Sequence, residues 1–176
     1  MGGEAMPDPL RRIVVGVDRT GASVAAMTWA AREAALRGVV LHAVHAWQPP
    51  DRERAPYAPG PRRLDGEADR RAAEEALTGA VREALAADGR SADGVVLEVM
   101  EGRPVPVLLR CAAGAELLIL GGASAAAGSA PVPDHVGPVA RACLRAAPCP
   151  VVVVTQWQVA GLRDTASRRL AAAAAW

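Results

Sequence analysis

The chain contains no lysine and no phenylalanine. All 20 basic residues are arginine, so a phosphate loop of the GxxxxGK(S/T) type is excluded for want of its ammonium group. Aromatics make up only 3% of 176 residues, which leaves Val, Leu, Ile and Ala to build the core. That length is one domain of ordinary size, long enough to bury such a core. No apolar run approaches the ~20 residues of a membrane span, and the N-terminus lacks a signal-peptide h-region. A net charge of +1 gives nucleic acid or an anionic membrane no bulk attraction. Cys111, Cys143 and Cys149 are scattered in apolar settings, a pattern that predicts buried reduced thiols in a cytoplasmic protein rather than a disulfide or metal site. GxSxG, HExxH and paired-cysteine patterns are missing as well. His42, His45 and His135 lack metal-ligand spacing, and the first two, three apart in a strand, fall on opposite faces. These absences argue against an enzyme.

What is present is a repeated alternation of apolar runs and helical stretches. Residues 117–120 and 151–154 are unbroken apolar runs bounded by Gly or Pro, the pattern of strands covered on both faces. Residues 12–17, 39–47 and 95–100 read as three further strands. Between the first two, a helix starts with Thr20 or Ser23 as its cap, buries Val24, Met27, Ala31, Ala34 and Ala35, and stops at Gly38. A charged helix follows over 67–87, and another brings Val107, Leu108 and Cys111 inward before Gly114. In the last, over 137–145, Val136, Val139, Ala140, Cys143 and Leu144 share one face and Arg141 and Arg145 the other. The order β-α-β-α-β-α-β-α-β predicts an α/β fold, a doubly wound five-stranded parallel sheet in three layers. The expected division is a mobile N-terminus over 1–10, the domain over 11–156 and a helical tail over 157–176. The Pro/Arg-rich connection at 48–66 is longer than most links in compact domains.

In such a sheet, ligands bind outside the carboxyl ends of the strands. Asp18 follows the first strand, where its carboxylate can accept from a ribose hydroxyl or a base amine, or else cap the next helix. The segment 121–139 offers small residues for close backbone approach and leads into a helix N-terminus, which favours phosphate. Two details weaken it for that purpose. Pro138 removes an N–H donor, and no Arg or Lys occurs between Gly121 and Ala140.

Over residues 12–155 the chain resembles a universal stress protein of the actinobacterial type. The resemblance rests on IVVGVDRTGASVAAMTWAAREAALRG followed by LHAVHAW, on VMEGRPVPVLLRCAAGAELLILG, and on GPVARACLRAAPCPVVVV. It implies a Rossmann-like fold with strand order 3-2-1-4-5 and a homodimer formed by antiparallel pairing of the last strand, from Val151 to Thr155. It also implies a site for ATP in those members that bind it, with Asp18 and Ala46, beside Gly16 and Val17, holding ribose and adenine. The family's phosphate motif is G-2x-G-9x-G-(S/T). Here Gly121 and Gly122 open it, Ser124 replaces the second glycine, and Gly137 follows after twelve residues instead of nine. Pro138, ahead of Val139, replaces the Ser/Thr donor. The resemblance therefore implies a stress-associated binding protein with a degenerate adenine-nucleotide site, ATP being held weakly or not at all. The alternatives are an ATP binder with a variant phosphate loop and a ligand-free dimeric scaffold, which Val132 or His135 filling the crevice would favour.

Overall fold

The computed structural model describes residues 8–18, 20–49, 66–122 and 136–155. The expected tail, most of the 48–66 connection, Ser124, Val132 and His135 lie outside them.

Strand β1 (Asp8–Gly16) leads into helix α1 (Gly21–Arg37), and then follow β2 (Val39–Trp47), α2 (Gly66–Ala86), β3 (Val95–Glu101), α3 (Pro104–Cys111), β4 (Leu117–Gly121), α4 (Pro138–Ala146) and β5 (Val151–Val154). All strand pairs are parallel, and their order is β3-β2-β1-β4-β5. The sheet is the doubly wound one that the alternation of runs predicts. β1 begins at Asp8 rather than Arg12, through a register shift between those two residues against β2.

Alternate residues of the central strands feed two cores. Ile13, Val15, Leu41, Ala43 and Ile119 pack with Met27 and Ala30 of α1 and with Leu77, Val81 and Leu85 of α2. Val14, Val44, Leu118 and Leu120 pack on the opposite face with Val107 and Leu108 of α3 and Ala140 and Cys143 of α4. Period-two alternation thus places two helices on each side of the sheet.

The ends of α1 are set by local chemistry. Thr20 is the cap, its side chain accepting the Ser23 N–H, and Gly38 closes the helix at φ 63°, where a Cβ would be strained. The buried face of α1 differs from the expected stripe: Ala22, Ala25, Ala26, Met27, Ala30 and Ala34 are buried, whereas Val24 is 38% exposed and Ala35 faces solvent. α1 presses its alanines onto the sheet because small side chains permit a close approach. On α4, Ala140 and Cys143 are buried as expected, but Leu144 is 49% exposed. Cys143 is buried, and Cys111 and Cys149 are half-buried. Burial pushes all three thiols up from their ordinary pKa, which disfavours the reactive thiolate.

A charged clasp ties α1 to the turn after α2. Arg32 Nε donates to Asp88 Oδ2 at 2.9 Å, its Nη2 reaches Oδ1, and Arg90 Nε lies 3.3 Å from Oδ2. The Arg32 hydrogen bond, helped by the charges of Arg32 and Arg90 and opposed by burial, holds the Asp88 carboxyl below its usual range. A carboxyl whose pKa falls on folding stabilises the native state above its unfolded value, and that contribution vanishes as pH drops through the folded value. Asp88→Asn should therefore lower the urea midpoint at pH 7, with the gap to wild type closing as the pH falls below the ordinary Asp value of about 3.9. A gap that stays constant on acidification would exclude this role.

Candidate functional site

β1 pairs with β2 on one side and β4 on the other, so the chain reverses its direction of winding between β1 and β4. Outside the carboxyl ends of these strands is an open crevice of about 130 Å³. Gly16 at the end of β1 and Val17 and Asp18 just after it line it, with Val44, His45 and Ala46 from β2 and Leu120 and Gly121 from β4. Ser23 from α1, Pro104 and Leu108 from α3, and Val139 and Ala140 from α4 complete the wall. An apolar cavity of roughly 150 Å³ accepts a benzene ring, so this one suits a ring-sized group with the rest of a ligand over its mouth.

The turn after β1 is held from three directions. Asp18 Oδ1 accepts from the Thr20 N–H at 2.8 Å and from Thr20 Oγ1 at 2.6 Å. The Asp18 N–H donates to Ser23 Oγ at 2.9 Å, and His45 Nδ1 lies 2.8 Å from the Val17 carbonyl oxygen. Asp18 is not itself the cap of α1: one carboxylate oxygen holds the capping Thr20, while the exposed side chain borders the crevice.

Around the end of β4 the glycines have mechanical reasons to be there. A Cβ on Gly121 would lie 2.7 Å from the Ala22 carbonyl carbon and 2.9 Å from the Ser23 nitrogen, both backbone atoms of α1. Gly122 donates its N–H to the Val154 carbonyl at 2.9 Å and lies against Thr155, away from the crevice wall. Gly137 is the N-cap of α4, and Pro138 occupies the first helical position, where a missing N–H is tolerated. Val139 lines the crevice, whereas Gly137 and Pro138 do not. Arg141, placed by helical spacing on the outer face, folds back so that its Nη2 donates to the Val136 carbonyl at 3.3 Å.

The sequence profile of the Universal stress protein family matches residues 9–155. The chain belongs to this family. Two Mycobacterium tuberculosis relatives agree: universal stress protein Rv2028c is 34% identical over 154 residues, 88% of this chain and 51% of that protein. Universal stress protein Rv2623 is 32% identical over 145 residues, 81% of this chain and 46% of that protein. The chain spans about half the length of these curated relatives. Among solved structures, universal stress protein UspA from Lactobacillus plantarum superposes with a TM-score of 0.60 at 23% identity, covering 84% of this chain and 99% of that one. A universal stress protein in complex with cAMP gives 0.51 at 21% identity, over 82% of this chain and 95% of that one. At such identities the structural likeness establishes the Rossmann-like fold.

In this universal stress protein the expected residues divide. Gly16, Val17, Asp18, Ala46, Gly121 and Val139 come together around one crevice. Gly122, Gly137 and Pro138 stand beside it, and Ser124 is outside the described residues. Sequence reasoning missed Ser23 and His45 as members of the wall, along with Leu108 and Leu120. His42, in mid-β2, is not part of it; burial and then the Arg12 charge lower its pKa against the pull of Glu98. Among the described residues no group of three or more His, Cys, Asp or Glu could hold a metal ion, and no helix is long and apolar enough to cross a membrane.

Proposed function

We propose that this chain is a stress-associated, cytoplasmic binding protein, not an enzyme, whose crevice takes the nucleoside part of an adenine nucleotide and has lost its hold on the phosphates. The observation that carries this reading is the uneven wall. The β1 and β2 ends offer the Asp18 carboxylate and backbone groups, whereas Leu108, Leu120, Val139 and Ala140 make the side toward α4 apolar. Among the described residues that line the crevice there is no Arg or Lys, and Pro138 offers α4 no N–H at its first position. The neighbour crystallised with cAMP is in keeping with an adenine ligand.

Losing two or three charge-assisted phosphate contacts of about 1.5–3 kcal/mol each weakens ATP by several powers of ten. Calorimetric titration should therefore show adenosine binding at least as tightly as ATP. Low-micromolar ATP binding that depends strongly on the triphosphate would end this reading.

Arg141 favours a second one, an ATP binder with a variant phosphate loop, because its guanidinium is turned back to the start of α4. Under that reading Arg141→Ala weakens ATP and leaves adenosine unchanged; under the first it changes neither.

The chain acts as a homodimer in both readings. β5 pairs with β4 on one side, and Val151, Val152 and Val153 are only half-buried, an apolar edge of the kind proteins usually cover. Light scattering on the purified chain decides this, a monomer at micromolar concentration being the adverse result. Val132 and His135, on which the ligand-free scaffold turns, lie outside the described residues.

A further inference from the structure

The crevice contains a polar group that the reading above leaves unused. Ser23 lines it while being only 2% exposed. Its Oγ accepts the Asp18 N–H at 2.9 Å, but the hydroxyl's own proton has no acceptor among the described residues. Buried hydroxyl protons usually find an acceptor, so one left without an acceptor among the described residues, in the wall of a crevice, is placed to meet a ligand.

The neighbouring residue has the opposite need. Asp18 commits Oδ1 to Thr20, while Oδ2 receives no hydrogen bond from any described residue. Ser23 Oγ does not donate to the Asp18 carboxylate. A donor awaiting an acceptor therefore stands next to an acceptor awaiting a donor. The complementary group is a pair of adjacent oxygens, one accepting and one donating, which is a vicinal diol.

Resting on the nucleoside reading above, we infer that Ser23 contacts the ligand directly, donating to one oxygen of a ribose cis-diol whose other hydroxyl donates to Asp18. The pair makes the crevice selective for ribose over deoxyribose. Ser23 is too buried to act by attracting charge, and its position in the first turn of α1 fixes it relative to Asp18.

The test uses the full chain, wild type and Ser23→Ala, titrated with adenosine and its 2′-deoxy and 3′-deoxy analogues, and in parallel with ATP and its two deoxy counterparts. Removal of either hydroxyl should weaken wild-type binding about tenfold. Ser23→Ala should lose that discrimination at one hydroxyl and keep it at the other. A variant that merely loosens the Asp18 turn loses both together, and that result overturns the inference. So does wild-type protein that binds all three members of a series equally, a result needing no variant. Binding confined to the ATP series would remove the proposed function while leaving Ser23 to be read on that series. Binding of neither series removes both.

Discussion

Gly121→Ala is expected to destabilise the fold by about 3 kcal/mol, near the upper end of what overpacking costs. Gly121 has no positive φ, so the cost is contact rather than backbone strain. The added carbon would lie 2.7 Å from the Ala22 carbonyl carbon, 2.8 Å from its oxygen and 2.9 Å from the Ser23 nitrogen. None of these atoms can turn aside as a side-chain tip can, so α1 must move off β4 as a unit. Domains of this size are stable by roughly 5–15 kcal/mol, so the loss is a large share of the total. Thermal unfolding followed by circular dichroism should show a midpoint about 6–12 °C lower. An unchanged midpoint would mean that α1 and β4 are not in this contact in solution.

Gly16→Val should have the reverse profile, sparing the fold and closing the crevice. A Cβ there meets Leu120 Cδ2 at 2.8 Å and Leu108 Cδ2 at 3.1 Å, both ends of flexible side chains that can rotate. Valine also suits a strand. Its methyl groups enter a space of only about 130 Å³, floored by the same Leu108 and Leu120. Adenosine affinity should fall by roughly a hundredfold, the scale of a lost ring-sized apolar contact of ~3 kcal/mol, while the unfolding midpoint falls less than for Gly121→Ala. Full retention of binding by a folded Gly16→Val protein would place the ligand elsewhere.

The two glycines also indicate what a sequence can and cannot disclose. Both stand at strand ends, and the order of apolar runs makes those ends legible, as it does the parallel sheet. Gly38 and Thr20 were legible because helix ends depend on neighbours in the chain. The buried face of α1 was not: in a helix so rich in alanine, hydrophobic contrast points to Val24, whereas packing distance selects Ala22, Ala26 and Ala30. Nor does spacing disclose that Gly121 lies against the first turn of α1, a contact between segments about a hundred residues apart. Position at a strand end marked Asp18, and the family resemblance marked Gly16 and Ala46, as neighbours of the crevice, and all three line it. Ser23 read only as a possible cap; its link to the Asp18 amide depends on how the turn folds back. Arg141 was assigned by helical spacing to the outside, but a side chain that long can return to its own helix start.

The place of β1 has a consequence for how a ligand would come and go. Ile13, Val14 and Val15 are fully buried, with a paired strand on either side. Amide protons in such a segment exchange with solvent only when the whole domain opens, whereas helix ends and rims exchange through smaller excursions. The crevice wall at Gly16 continues directly from this segment, so a ligand of the proposed kind would enter and leave by movements of the outer lip rather than of the strand.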